Sequence, residues 1–255
     1  MRDTTAERDH FVTHGWVLTR LLDPEATQAL RGWVDEVSTW PDGAGDWLHY
    51  REMTDTGPKL CRTENFVPFH EGLRALLTDG SMLATASALL GEPAVLYKEK
   101  INYKLPGGAG YAPHQDAPAY RFVATHVSCM VAVDDASPGN GCLEVVSDLH
   151  HELLPVDENG CIQTDVAESL EWMPVAVQAG ETLWFHSRTP HRSGPNHSTR
   201  PRRALYPTYN AAAEGDLRAD YYRQKAAELA ASASGNRIPV SLIGDFQGRP
   251  VVVSS

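Results

Sequence analysis

Cysteine is scarce in this chain of 255 residues: Cys61, Cys129, Cys142 and Cys161 are all there are. None stands in a Cys-x-x-Cys pair, which argues against a zinc ribbon or a dithiol redox motif. No run approaches the ~18 consecutive apolar residues of a membrane span. The segment Met1 to Arg8 is polar and charged with no apolar stretch behind it, so no secretory leader is expected. Reduced thiols in a cytoplasmic enzyme are therefore the expectation. Positive charge is also short, with 22 Lys and Arg against 33 Asp and Glu and a net charge of -11. That excess argues against non-specific nucleic-acid binding and against adhesion to an anionic membrane, while leaving room for a local cationic pocket. Repeats, low-complexity tracts and clear linkers are absent. What is present is a 42% hydrophobic chain, long enough to bury one sizeable core. One domain over residues 1–255 is expected, acting on a small-molecule partner, with the oligomeric state left open.

The hydrophobic pattern divides the chain into three parts. Residues 1–92 read as helical. Thr4 or Thr5 starts a helix through His14, Gly15 stops it, and Trp16-Val17-Leu18 is extended. Asp23-Pro24-Glu25 is a helix start, with apolar residues at helical spacing through Trp40. Residues 42 to 66 read as irregular, and two more helices are expected over Glu71 to Thr78 and Ser81 to Leu90. Residues 93–212 read as strands: one long strand over Ala94 to Lys104, others over Val123 to Asp134, Cys142 to Val146 and Arg203 to Tyr209. Val175 to Val177 and Thr182 to Phe185 are expected to form a hairpin around Gln178-Ala179-Gly180-Glu181. Pro106 to Gly110 reads as a turn or mobile loop. Residues 213–255 give a helix from Gly215 to about Ala231 and an extended segment, Ile238 to Val253. Short strands between Gly, Pro and Asn turns imply an antiparallel sandwich or barrel wrapped by helices.

Chemistry concentrates in two places. In Tyr111-Ala112-Pro113-His114-Gln115-Asp116, the spacing His-x-Asp puts an imidazole and a carboxylate on one face of a strand. Alone, such a pair is commonly a surface turn. The second place is Thr189-Pro190-His191-Arg192-Ser193-Gly194, which supplies another histidine. Eleven residues later comes Arg202, able to hold a carboxylate through two parallel hydrogen bonds. Two histidines and one carboxylate form the facial triad of non-haem Fe(II) oxygenases, with open positions for a chelating cosubstrate and O2. A zinc hydrolase uses the same ligand types but needs neither Arg202 nor Ser193. A jelly-roll that binds without catalysis is the other alternative. Lys98, Lys100, Asn102 and Lys104 share one face of their strand, and for Lys104 a solvated position is the expectation. Tyr111 and Tyr120, with Trp47, His49 and Tyr50, are candidates for the mouth of a pocket. His186, five residues before His191, is expected to be a strand or bend residue.

These motifs resemble the phytanoyl-CoA dioxygenase family of Fe(II)/2-oxoglutarate-dependent oxygenases over roughly residues 8 to 212. The resemblance rests on His114-x-Asp116, Asn140-Gly141-x-Leu143, Ala179-Gly180-Glu181, His191 with Ser193, Asn196, and Arg202. It implies a double-stranded β-helix, a jelly-roll barrel of the cupin type. It implies His114, Asp116 and His191 as iron ligands and Arg202 with Ser193 on the far carboxylate of 2-oxoglutarate. By the same resemblance Lys100 and Asn102 contact the cosubstrate, while Lys98, Tyr111 and Tyr120 face the substrate. The activity implied is hydroxylation of a C–H bond coupled to release of succinate and CO2, with ascorbate as a stimulant. The Asp116 carboxylate fills the position that chloride takes in related halogenases, which favours hydroxylation. The stretch Lys98 to Tyr120 is similar to members that hydroxylate aminoalkylphosphonates. A small polar substrate, anionic or amine-bearing, is therefore expected.

Overall fold

The computed structural model describes residues 4–42, 47–120, 123–124, 126–232 and 243–251. Helix α1 (Thr5–His14) ends at Gly15, whose φ of 79° completes the left-handed cap; Thr4 makes no side-chain cap. Strand β1 (Trp16–Arg20) follows. Helix α2 (Pro24–Ser38) starts as expected, with the Asp23 side chain accepting from Ala26 N at 2.8 Å. It buries Leu30, Val34 and Val37 completely, each worth about 1.5–3 kcal/mol of apolar burial. The described residues of the stretch 42 to 66, which are 42 and 47–66, are not irregular as expected. They carry a hairpin, β2 (Leu48–Thr54) and β3 (Gly57–Glu64). The alternation there is masked by charged residues that turn out to face inward, as shown below.

Helices α3 (Glu71–Thr78) and α4 (Gly80–Leu90) match their expected positions. The long strand expected over 94 to 104 is two, β4 (Ala94–Lys98) and β5 (Lys100–Lys104). They part at Glu99, whose backbone N–H and carbonyl are both bonded by the Tyr222 hydroxyl, at 3.1 and 2.8 Å. After these come β6 (Tyr111–His114), β7 (His126–Ala132), β8 (Leu143–Val145), the short helix α5 (Thr164–Ser169), β9 (Met173–Pro174), β10 (Glu181–His186) and β11 (His191–Ser193). The last expected strand is also interrupted, at Tyr206-Pro207, into β12 (Arg202–Leu205) and β13 (Thr208–Ala211). Helix α6 spans Arg218–Ser232. The expected hairpin around Gln178 does not form: β9 pairs with β8, and β10 pairs with β1 and β7. The turn residues are real, but they turn the chain from one sheet to the other.

The larger sheet has nine strands, in the order β1-β10-β7-β12-β5-β3-β2, with β13 against β7 and β4. Three of its strands thus come from the part read as helical. The smaller sheet runs β6-β11-β8-β9. The sheets face each other across Met130, Ala132, Leu183, Phe185 and Ala204 on one side and Leu143 and Val145 on the other, the packing of a jelly-roll. The helices cover the outer face of the larger sheet through Leu30, Leu73 and Met82, in one apolar cluster with Trp184 of β10. All four cysteines are buried and unpaired. No helix among the described residues is long and apolar enough to cross a membrane.

Residues 243–251 belong to the expected C-terminal extended segment; 238–242 and 252–253 of that expectation lie outside the described residues. The described part runs beside β6, with Ala112 N donating to Asp245 O at 2.7 Å and Gln247 N to Gly110 O at 3.1 Å. It continues to β2, where Met53 N donates to Arg249 O and Val251 N to Arg51 O. The Pro106 to Gly110 loop is tied rather than loose. Gly107 N donates to Asn196 O and Asn196 N to Gly108 O. A Cβ at Gly110 would stand 2.4 Å from Ser193 O, so only glycine lets the two chains approach.

Candidate active site

His114 ends β6 and His191 begins β11, and the two are register partners across the smaller sheet. Their ring centroids lie 4.1 Å apart. Each Nδ1 donates to the carbonyl two residues earlier, His114 to Ala112 O at 2.7 Å and His191 to Thr189 O at 3.0 Å. That hydrogen bond fixes the tautomer and leaves each Nε2 lone pair free for a metal. Asp116 is not on the strand. β6 stops at His114, and Asp116 has helical backbone angles at the start of a short turn over Ala117–Ala119. The bend is held by Gln115, whose amide is bonded by Glu152 O, Arg188 O and Leu154 N. The ligand-type atoms of His114, Asp116 and His191 all lie within 4.8 Å of one another, and all three residues are buried.

Asp116 Oδ2 accepts from Ser128 Oγ on β7 at 2.7 Å, so the larger sheet orients the carboxylate that the smaller one carries. Burial alone would raise the Asp116 pKa, but the His191 ring and the Lys98 and Lys100 ammoniums hold it far below the usual carboxylate range. Burial, with His114 alongside, lowers His191 to about 4, keeping the imidazole neutral as a metal ligand must be. Two oriented imidazoles and an ionised carboxylate are the donor set that Fe(II) takes in a facial triad. Ser128→Ala removes the bond that aims Asp116. We expect Fe(II) affinity to fall about 10- to 100-fold in a competitive chelator titration; unchanged affinity would show that Ser128 does not support the metal.

Two cavities, of about 390 and 330 Å³, adjoin the triad and share Lys100, His114, Asp116, Tyr120 and Asp245 in their walls. The first also meets Asn102, Tyr111, Ser193 and Tyr206. Arg202, fully buried, stands one hydrogen bond from its wall: Nη1 donates to the Tyr206 hydroxyl at 2.8 Å and Nη2 to Gly141 O at 2.7 Å. Its Nε is buried without a hydrogen-bond partner. Arg203, its neighbour, faces outward to Asp134 and Asp35.

Lys104 corrects the expectation of a solvated position. It is 4% exposed and lies across the strand pair from Arg202. Its Nζ donates to Ser193 Oγ at 2.8 Å, Gly194 O at 2.6 Å and Gly141 O at 3.3 Å, the environment of an ammonium. Burial and the Arg202 guanidinium lower its pKa to about 6. Gly141 makes this corner possible: its φ is 72°, and a Cβ there would stand 2.2 Å from Gly194 O.

The second cavity is lined by Arg62 and Glu64 from β3, Lys98 and Lys100 from the central strands, Lys225 from α6, and Asp245. Lys225 Nζ lies 2.5 Å from Glu64 Oε2, and Arg62 Nη1 lies 3.4 Å from Glu64 Oε1. Among the described residues Lys98 has no carboxylate that close; its Nζ stands 4.3 Å from the centre of the Tyr120 ring. Burial and Lys100 depress Lys98 well below its ordinary value, and burial and Arg62 lower Lys100 to about 8. Arg62 also donates to Asn102 Oδ1 at 3.0 Å and to the Tyr111 hydroxyl at 3.1 Å.

Every residue singled out from the strand face and the two motifs therefore reaches this region. Trp47, His49 and Tyr50 do not line either cavity: His49 bonds Thr63 and the Trp40 carbonyl, and Tyr50 packs with Cys61. His186 is outside the triad, its Nδ1 accepting from Arg188 N. Sequence reasoning missed Arg62, Glu64, Ser128, Lys225 and Asp245. No local motif marks them, because their partners lie well outside any short motif: Ser128 bonds Asp116 12 positions before it, Arg62 bonds Asn102 40 positions after it, and Glu64 pairs with Lys225 161 positions after it.

Comparison with known proteins agrees with this geometry. Residues 12–204 match the model of the family described as phytanoyl-CoA dioxygenase (PhyH). A methylphosphonate hydroxylase of Gimesia maris is 49% identical over 251 residues, covering 97% of this chain and 96% of that protein. A 2-aminoethylphosphonate dioxygenase from an uncultured bacterium is 38% identical over 228 residues, 87% of each chain. Among solved structures, EctD of S. alaskensis, determined with 2-oxoglutarate and 5-hydroxyectoine, superposes with a TM-score of 0.72. It is 17% identical and covers 82% of this chain and 77% of that one. The fold and the buried triad thus define a jelly-roll oxygenase. The chain belongs to the phytanoyl-CoA dioxygenase family of Fe(II)/2-oxoglutarate-dependent oxygenases. It is an enzyme of the dioxygenase class, and the zinc-hydrolase and binding-module alternatives give way to that reading.

Proposed function

We propose that this enzyme hydroxylates a C–H bond of a small phosphonate. His114, Asp116 and His191 hold the iron, and Arg202 and Ser193, aided by Lys104, receive the far carboxylate of 2-oxoglutarate. Lys100 and Asn102 flank the cosubstrate's path along β5. The iron, when bound with 2-oxoglutarate and O2, supplies the oxidising power for C–H hydroxylation. The protein would hold the two acids in the two adjoining cavities, with Arg202 and Lys104 next to the first, Arg62, Lys98 and Lys225 at the second, and Lys100 in the wall they share.

The observation that carries the substrate class is the set of four cations, Arg62, Lys98, Lys100 and Lys225, around the second cavity. They come from four different elements, and the three carboxylates in the same wall, Glu64, Asp116 and Asp245, offset only part of their charge. A phosphonate, doubly charged and with three acceptor oxygens, matches several converging donors better than a single carboxylate does. It also favours the protonated forms of Lys98 and Lys100 that burial opposes. The names of the two similar proteins above point to the same chemistry.

The test is succinate release, measured with Fe(II), 2-oxoglutarate and O2, in the presence of methylphosphonate, 2-aminoethylphosphonate or carboxylates of matching size. Phosphonate-dependent succinate above the carboxylate level supports the assignment; none with either phosphonate sinks it. Lys225→Met should raise the phosphonate KM at least about 10-fold, the loss of a charge-assisted contact worth about 1.5–3 kcal/mol. The 2-oxoglutarate KM should move little. A variant that shifts only the latter would place Lys225 on the cosubstrate side.

A further inference from the structure

We propose that Asp245 selects phosphonates that carry an ammonium group, its carboxylate receiving the amine while the four cations receive the phosphonate. The inference rests on the phosphonate reading above and adds an opposite charge to the same site.

Asp245 is delivered by the segment 243–251, far in sequence from every motif. Its backbone is fixed by the bond from Ala112 N, and its neighbour Phe246 bridges to Tyr111, with ring centroids 5.4 Å apart. The side chain is 2% exposed and stands in the wall of both cavities. Oδ1 is buried with no hydrogen-bond partner. Oδ2 has one polar neighbour, His114 Nε2 at 3.4 Å. That nitrogen is not a donor, because Nδ1 carries the proton given to Ala112 O. Among the described residues, no lysine or arginine nitrogen lies within 4.0 Å of this carboxylate.

A buried carboxylate with no donor is costly, and such a group is commonly completed by a ligand. A carboxylate of 2-oxoglutarate and a phosphonate dianion do not complete it, since both are acceptors and negatively charged. A donor of positive charge can. The four cations leave the second cavity with more positive than negative side chains, while Asp245, whose charge reaches Arg62 and Lys100 only from beyond 4.0 Å, still lacks a donor on its carboxylate. The ligand that meets both is dipolar, with a phosphonate at one end and an ammonium at the other. One of the similar proteins is named for a phosphonate with an amine and the other for one without. Asp245 assigns this chain to the first kind.

The experiment compares 2-aminoethylphosphonate with n-propylphosphonate, which has nearly the same length and no amine. Each is titrated without oxygen into the Fe(II)- and 2-oxoglutarate-loaded enzyme, following the visible charge-transfer band, and succinate release is then measured with oxygen. Wild-type protein should bind the aminophosphonate at least about 30-fold more tightly, the scale of a buried charge pair. Asp245→Asn should lower that preference by a similar factor, and Asp245→Glu should keep part of it. The band before phosphonate is added reports that each variant is folded and loaded. Equal wild-type affinity for the two phosphonates overturns the proposal, with no variant needed. An Asp245→Asn preference equal to wild type overturns it too, and assigns the carboxylate to the metal side. In both cases the phosphonate reading stands. If neither phosphonate perturbs the band or supports turnover, the phosphonate reading fails and this one with it.

Discussion

His191→Ala protein, given Fe(II) and then 2-oxoglutarate without oxygen, should develop no visible charge-transfer band. Its succinate release should fall by more than the roughly 100-fold that loss of a supporting hydrogen bond to a ligand can cost. The reason is geometric. His191 and His114 are cross-strand partners with their Nε2 atoms turned to one point, and Asp116 is bent round to meet them. Removing one of three donors leaves two adjacent ones, which do not define a face. The fold should survive, because the His191 ring's one hydrogen bond is to the Thr189 carbonyl. Losing that bond costs about 1 kcal/mol in urea unfolding. A band that persists in the variant would show that iron is held elsewhere and would sink the triad.

Arg202→Met should raise the 2-oxoglutarate concentration needed for half-maximal band intensity by about 30-fold or more. Truncating one partner of a buried charge pair costs about 2–5 kcal/mol, and 1.4 kcal/mol is tenfold. Arg202 is buried, positioned by Gly141 O and the Tyr206 hydroxyl, with Nε lacking a partner. The loss should lie at the low end of that range, since Lys104 remains beside Ser193 as a second hydrogen-bond donor. Phosphonate affinity, measured in the same complex at saturating 2-oxoglutarate, should change far less. The reverse pattern, with 2-oxoglutarate unaffected and phosphonate binding lost, would exchange the assignments of the two cavities.

The proposed assignment of the two cavities would keep the two acids of the reaction apart in one small site. Both ligands are anionic, and each needs cations of its own. Along β5 the inward positions are Lys100, Asn102 and Lys104. The far end serves the cosubstrate corner with Arg202, and the near end serves the cavity shared with Arg62 and Lys225. A net charge of -11 over the chain therefore coexists with a concentrated cationic interior.

The sequence by itself determined the His-x-Asp and distal His pattern that the fold brings together, the positions of Ser193 and Arg202 beside it, and the class of fold. His114, Asp116, His191, Ser193 and Arg202 lie in short segments with fixed intervals, and such intervals survive because the strands and bends between them have set lengths. The first helices were legible for the same local reason, from Asp23-Pro24 and the 3.6-residue spacing of Leu30, Val34 and Val37. What failed were features decided by distant partners. The hairpin β2–β3 was hidden because Arg62 and Glu64, charged residues that local rules place in solvent, face a cavity completed by Lys225 some 160 positions later. Lys104 was misplaced for the same reason, since only the approach of Ser193, Gly194 and Gly141 supplies the oxygens that let an ammonium be buried. Glu99 breaks a strand that its own sequence would continue, because Tyr222 on α6 takes both of its backbone groups. Asp245 had no signal at all. Its meaning comes from the course of the C-terminal segment along β6, a pairing of backbone with backbone that leaves no mark on the side chains.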